Sequence, residues 1–376
     1  MALSAQPPHF ARSPHLVTLV AEVERLAAAV LAADADERTT HRLTRRDEAV
    51  AATLALDGAA IDGLPDAAAA AATIAELGDA FVPHPERDHR GTWLDAMRVL
   101  EEPSDDQVRA LEVLGVHAAD AADDLVDRLL SDPAATLALL HRRLTRGLVA
   151  EDRAGQPRAT EQAVHDGRTG RVLYFTSEPH EVPGELSLLD AWMASTGTRE
   201  HGLIASGVLH LEILRIHPFD AANGRLARAA ARLVLRARGL DPDHLAVPEP
   251  TLAADPLGYA EEVARTRRRR DLTIWLERWG DAVVTGLRDS ARALGQLPRE
   301  VDAEAAAFIA AHPAFTVTEH RAERVLGPED ARSELGRWLD AGEIARVPGS
   351  SGLRFVASST SSTSVQQEPD PGSDGQ

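Results

Sequence analysis

Residues 203–238 hold the feature that constrains this chain most: two helix-length segments separated by the stretch HPFDAANG. The first segment, LIASGVLHLEILRI (203–216), is predominantly apolar and reads as a buried helix. The second starts near Asn223, and Leu226, Ala230, Leu233, Val234 and Ala237 recur on one face. Gly239 closes it as a C-terminal cap. A chain with this centre builds its core from packed helices, and the rest of the sequence agrees. Strand signals are sparse, and Ala/Leu/Arg/Glu-rich patterns dominate.

Further helices are expected at 16–33, from Thr44 to Asp57 with Gly58 as the stop, at Leu186–Ser195, at 257–267 and at 272–294. Residues 66–150 hold several more, broken at Pro83, Pro85, Pro103 and Pro133, with Asp132 a cap for the helix that Pro133 opens. The first β signal is QAVHDGRTGRVLYFT (162–176), two extended runs around a turn with Asp166-Gly167 and Thr169-Gly170, a hairpin pattern. Pro298 marks a boundary. Beyond it, three short helices and a hairpin (ARVPGSSGLRFVA) follow the order of a winged helix. The Ser/Thr-rich end, 358–376, is of low complexity and is expected to be disordered.

The 376 residues, 44% of them hydrophobic, suffice for two or three globular domains. There is no run of eighteen or more apolar residues and so no membrane span is expected. The start, MALSAQPPHFARSP, lacks the layout of a secretion signal, which points to the cytoplasm. The absence of cysteine rules out disulfides and thiolate metal sites. With a net charge of −19, general nucleic-acid binding is disfavoured, and a phosphate-bearing ligand needs a concentrated local positive site.

Residues 217–228 have the makings of such a site. A loop entering a helix near Asn223 offers unpaired backbone N–H groups and the positive end of the helix dipole. Small residues at 221, 222 and 224 let a phosphate approach the backbone. Arg225 and Arg228, three apart, project near one helix edge and suit successive phosphates. His217, just before the loop, belongs to the side-chain type best matched to proton removal at neutral pH. Singly, each residue reads as an ordinary helix start, a structural histidine or a surface arginine. Together they suggest transfer of a phosphate-containing group to a hydroxyl.

HPFDAANGRLAR also resembles the signature of Fic-domain proteins, H-P-F-x-[D/E]-G-N-G-R-x-x-R, matching at His217, Pro218, Phe219, Asn223, Gly224, Arg225 and Arg228. His210, seven residues upstream, and the hairpin at 162–176 sit where that family carries a helix histidine and a target-binding flap. The resemblance implies a mainly α, Fic-type helical bundle with a small β-hairpin flap and a C-terminal winged-helix domain. It divides the chain into an N-terminal helical region (1–110) with an inhibitory helix at 44–58, a Fic core (111–296), a winged-helix-like domain (299–357) and the tail. It implies AMP transfer from ATP, with Mg²⁺, to a hydroxyl of a protein target. By that analogy His217 is the base, and Phe219, Ala222, Asn223, Gly224, Arg225 and Arg228 hold the nucleotide.

The chain departs from the pattern in two places. Ala221 stands where the family has its metal-binding acid, and Ala222 where it has glycine. Either Asp220 shifts to serve the metal, or the metal site is weakened. Ala222 is a mild change unless its position needs positive φ. The family's inhibitory pattern, [S/T]-x-x-x-E-[G/N], is met by TLALDG (Thr53–Gly58) with Asp57 for glutamate, and Asp62-Gly63 is a second candidate. Asp57 ends a helix, where the dipole disfavours an anion, and Arg228 would offset that. The alternative is a plain Asp-Gly turn. Being one methylene shorter than glutamate, Asp57 is expected to clamp Arg228 more loosely unless its helix sits nearer.

Two functions follow as alternatives: an adenylyltransferase with ATP as substrate, or a degenerate relative that binds nucleotide or a partner without efficient catalysis. Expected partners are ATP, a target protein at the flap and a second copy of the chain. RTRRRRDL (265–272) reads as a solvated helix end paired with acidic residues, and His180 as a loop residue near the pocket. No zinc pattern such as HExxH occurs. DNA contact through the helix bearing Arg332 and Arg337 is disfavoured by Glu329, Asp330, Glu334 and Asp340 on the same helix.

Overall fold

In the computed structural model the described residues are 9–58, 63–75, 104–165, 169–297, 303–341, 343–346 and 354–357. They are mainly helical with two small sheets and divide into two compact units, Met1–Leu297 and Pro298–Gln376. The tail at 358–376, the Asp62 candidate and the flap turn at Asp166-Gly167 lie outside the described residues.

The first unit runs α1 (Pro14–Ala32), α2 (Ala35–Leu56), α3 (Ala67–Ala75), α4 (Asp105–Asp120), α5 (Val126–Leu129), α6 (Pro133–Leu144), the hairpin β1 (Ala163–His165) and β2 (Val172–Phe175), then α7 (Val182–Trp192), α8 (Gly202–Ile216), α9 (Asn223–Ala237), α10 (Glu249–Ala253), α11 (Pro256–Arg269) and α12 (Thr273–Ala293). At the centre α8, predominantly apolar, is buried along its length except at Arg215, and His210 and Glu212 are buried with it. It packs between α9 and α12. Trp275 Nε1 donates to the Gly207 carbonyl at 2.7 Å and Trp279 Nε1 to Ser206 Oγ at 2.8 Å, so both indoles are buried with their polar atoms satisfied. α1 lies along α12, and α2 packs on α10 and α9.

α2 corrects the expected 44–58 boundaries by starting nine residues earlier, at Ala35. Asp34 accepts hydrogen bonds from the amides of Asp36 and Glu37, and these two acids in the first turn suit the dipole. The polar run ADERTTHRLTRR hid this start, because its helical support is a cap rather than an apolar stripe. α2 buries Arg45, Ala49, Val50, Thr53 and Leu54, which fixes the position of its C-terminal end.

In the hairpin, Ala163 faces Phe175 and Val164 faces Tyr174, with a bulge before His165. The second unit contains α13 (Ala303–Ala311), β3 (Ala314–Thr316), α14 (Val317–Glu323), α15 (Pro328–Asp340), β4 (Ile344–Arg346) and β5 (Arg354–Ala357). Its sheet has three antiparallel strands in the order β3-β5-β4, where a two-stranded hairpin was expected. Phe315 of β3 is drawn into the sheet by a core of Phe308, Leu335, Trp338, Ile344 and Phe355. No helix of the described residues is long and apolar enough to cross a membrane.

Candidate active site

The stretch between α8 and α9 turns sharply at both ends. His217 caps α8 in the left-handed region (φ 50°), and Ala222 precedes α9 in the same region (φ 52°, ψ 21°). Position 222 therefore does require positive φ, and alanine there is not a mild choice. A left-handed L-residue costs roughly 1–2 kcal/mol, whereas glycine adopts the conformation freely. Glycine also gains entropy in the unfolded chain, which offsets part of the relief. Ala222→Gly is expected to stabilise the fold by about 0.5–1 kcal/mol, read as a higher urea midpoint with unchanged slope. A lower midpoint would mean that the Ala222 methyl group's packing outweighs the backbone strain.

Within the turn, Asn223 braces Phe219. Its Oδ1 accepts from the Phe219 amide at 3.1 Å, and its Nδ2 donates to the Phe219 carbonyl at 2.8 Å. Asn223 thus shapes the loop with both ends of its amide. The Phe219 ring is buried and stacks on His141 of α6, with centroids 4.3 Å apart. His141 Nδ1 accepts from the Gly155 amide, so its proton lies on Nε2, 3.2 Å from the Ala221 carbonyl. Burial, aided by nearby Arg225 and opposed by the bond to Ala221, brings the His141 pKa down to about 4. The ring is neutral at pH 7 and serves as a wedge under the loop.

The arginine edge of α9 faces inward. Arg225 and Arg228 are both buried, and the end of α2 brings Asp57 to both of them. Asp57 Oδ1 lies 2.6 Å from Arg228 Nη2, and Oδ2 lies 2.9 Å from Arg225 Nε. The clamp is therefore tight and double: the shorter acid is compensated because its helix sits close. Gly224 makes room for it, since a Cβ there would fall 2.9 Å from Asp57 Oδ1. Arg228 also donates to the Thr53 hydroxyl and, at 2.9 Å, to the Thr53 carbonyl, so both polar residues of TLALDG contact one guanidinium. Glu112 of α4 stands 3.4 Å from Arg225. Burial works against the charge on Arg228, but Asp57 and Tyr259 hold its pKa above the ordinary value.

His210 enters through Tyr259. His210 Nε2 lies 2.7 Å from the Tyr259 hydroxyl. Burial, with the Arg228 charge, keeps His210 well below the ordinary histidine range and hence neutral. The histidine on α8 is a buried partner of Tyr259.

His217 is buried, and its Nδ1 lies 3.1 Å from Gln162 Oε1 at the root of β1. Arg158 braces the backbone on the other side. Its amide donates to the Pro218 carbonyl, and its buried guanidinium donates to the carbonyls of Thr160, Ser177, Ile216 and His217 and to the Thr176 hydroxyl. A cation at the carbonyl end of α8 also suits the helix dipole. Arg158 fixes the exit of α8 and the base of the flap as one body.

The acid question resolves into two placements. The Asp220 carboxylate pairs with Arg153, whose Nε is 3.0 Å away. Ala221 is buried in a small apolar cluster with Val149, Ala154 and Ala222. Among the described residues no three His, Asp or Glu side chains converge as metal ligands. In the basic run at the end of α11, Arg265 meets Glu261 at 2.6 Å and Arg269 lies 3.8 Å from Glu262, while Arg267 lies over the Tyr174 ring of the flap at 5.8 Å. His141, Arg153, Arg158, Gln162 and Tyr259 were not singled out from sequence. No motif marks them, and each meets the site from a distant part of the chain.

Residues 131–235 match the model of the Fic/DOC family, so the chain carries a Fic/DOC domain that includes His217, Arg225 and Arg228. Among solved structures, the chain is similar to a Fic family protein from Desulfovibrio desulfuricans G20, at 24% identity and a TM-score of 0.58, over 95% of this chain and 99% of that one. It is also similar to Fic-1 (residues 134–508) from C. elegans, at 16% identity and a TM-score of 0.47, over 74% and 72% of the two chains. The first likeness is one of fold. No curated protein matches the sequence.

Proposed function

We propose that this Fic/DOC-domain protein transfers AMP from ATP to a hydroxyl side chain of a protein target, and that Asp57 holds the activity in check. Proteins of this family generally transfer nucleotide or other groups to target proteins. The observation that carries the finer reading is the placement of one carboxylate against both Arg225 and Arg228 beside an intact His217. Two charge-assisted pairs occupy the groups best suited to ATP's outer phosphates. A restraint of this kind has a purpose only on a site that works.

In this reading His217 takes the proton from the target hydroxyl as its oxygen attacks the α-phosphorus. The bond to the bridging oxygen breaks, pyrophosphate leaves, and the target keeps AMP as a phosphodiester. The amides at the start of α9 and the two arginines stabilise the phosphate charge once Asp57 withdraws. The exposed Phe175 and Val172 of the flap offer an edge on which an extended target segment can pair.

The residues do not fit a protein-held Mg²⁺, because Asp220 is paired with Arg153 and position 221 is apolar. That observation favours the second reading, a nucleotide- or partner-binding regulator without efficient catalysis. The deciding experiment incubates wild type and Asp57→Ala with a cell lysate, Mg²⁺ and ATP labelled on the α-phosphate. Label on protein together with pyrophosphate release supports transfer. ATP binding by calorimetry with no label in either protein overturns transfer and leaves the regulator.

A further inference from the structure

We propose that Gln162, at the root of the flap, is a positioning residue that sets the tautomer of His217; the assignment rests on reading His217 as the base. Its amide lies between two groups of the motif. Nε2 is 2.8 Å from the Asp220 carbonyl, and Oε1 is 3.1 Å from His217 Nδ1. A carbonyl can only accept, so the end facing Asp220 must be the NH₂ group. The end facing His217 is then an oxygen, which also only accepts. Nδ1 must therefore carry the imidazole hydrogen, and the basic lone pair lies on Nε2. One hydrogen bond to a backbone carbonyl thus determines which nitrogen of His217 is the base.

Gln162 is itself held. Its carbonyl accepts from the Thr176 hydroxyl at 2.8 Å and the Thr176 amide at 3.3 Å, and Thr176 is gripped by Arg158. Gln162 directly precedes Ala163, the first residue of β1, and Thr176 directly follows Phe175, the last of β2. The ends of the flap and the base are therefore linked by side-chain and backbone bonds, so a target seated on the flap meets an imidazole already oriented. Other charged groups at this locus, Arg158 on the His217 carbonyl and the Arg153–Asp220 pair, are the same in every variant below.

The test uses full-length protein with ¹⁵N-labelled histidine. The His217 signals are assigned by their loss in His217→Asn. Wild type is expected to show a protonated Nδ1 and an unprotonated Nε2 at pH 8. Gln162→Leu removes the acceptor, so the Nε2-protonated form, favoured by the histidine side chain in water, should gain population. In the Asp57→Ala background its kcat should fall on the order of tenfold with KM for ATP unchanged. Gln162→Glu keeps an acceptor and adds a negative charge. It should retain the tautomer and raise the His217 titration midpoint by about one unit or more, moving the acid limb of the pH–rate profile the same way. If His217 in Gln162→Leu stays fully Nδ1-protonated, or its midpoint in Gln162→Glu does not move, the assignment fails. The NMR readings stand without activity, so failure of transfer in wild type and failure of this assignment are separate results.

Discussion

Asp57→Ala is expected to transfer label from α-labelled ATP on the order of tenfold to a hundredfold faster than wild type, the range of ordinary coupling energies between two sites. The size follows from competition. Asp57 and a phosphate seek the same two guanidiniums, and a restraint can only be as strong as its differential contacts. Arg225 and Arg228 are 7% and 2% exposed, while the Asp57 side chain is 23% exposed, so the carboxylate is the member open to exchange. The substitution removes the anion but leaves Thr53 and the seat of α2 in place, so Arg228 stays oriented. ATP affinity should rise with the rate. The variant should melt lower without ATP, because a buried guanidinium loses its counter-charge, and should gain more than wild type on adding ATP. Rate and ATP affinity both unchanged would remove Asp57 from any inhibitory role.

The second large effect is at His217. Loss of a positioned general base costs about 10²- to 10⁴-fold, and His217→Ala in the Asp57→Ala background should show a loss of that size in kcat. ATP affinity should not change, since the arginines and α9 amides proposed to hold the phosphates are untouched. Alanine at φ 50° also strains the backbone, whereas asparagine tolerates the left-handed region. His217→Asn therefore tests the base without the strain, and the two variants should be equally impaired. Transfer that survives in His217→Asn would assign the proton to another group.

Much of the fold was legible because it is local. The apolar run at 203–216, the stripe of α9 and the Gly58 and Gly239 stops are helix signals that act over a few residues. Where the local signal was a cap within a polar run, as at Asp34, the boundary was missed. The site was legible as a set of groups. The spacing of Arg225 and Arg228 placed them on one helix edge, and TLALDG singled out Asp57. The double clamp was not legible, since a shorter side chain argued for a looser contact. The approach of α2 reversed that, by burying Thr53 and Leu54 against the bundle.

Three things could be read from local signals: that the chain is helical, that a turn rich in small residues stands between two core helices, and that a histidine and two arginines flank it. These follow from periodicity, capping and i,i+3 spacing, which tie residues to their neighbours. Packing alone brings Asp57 to Arg228 across 171 positions and Gln162 to His217 across 55, pairs Asp220 with Arg153, and sets the left-handed backbone at Ala222. Such contacts depend on how buried faces pack, where every charged group brought inside must find a partner, and no local propensity says which one it finds.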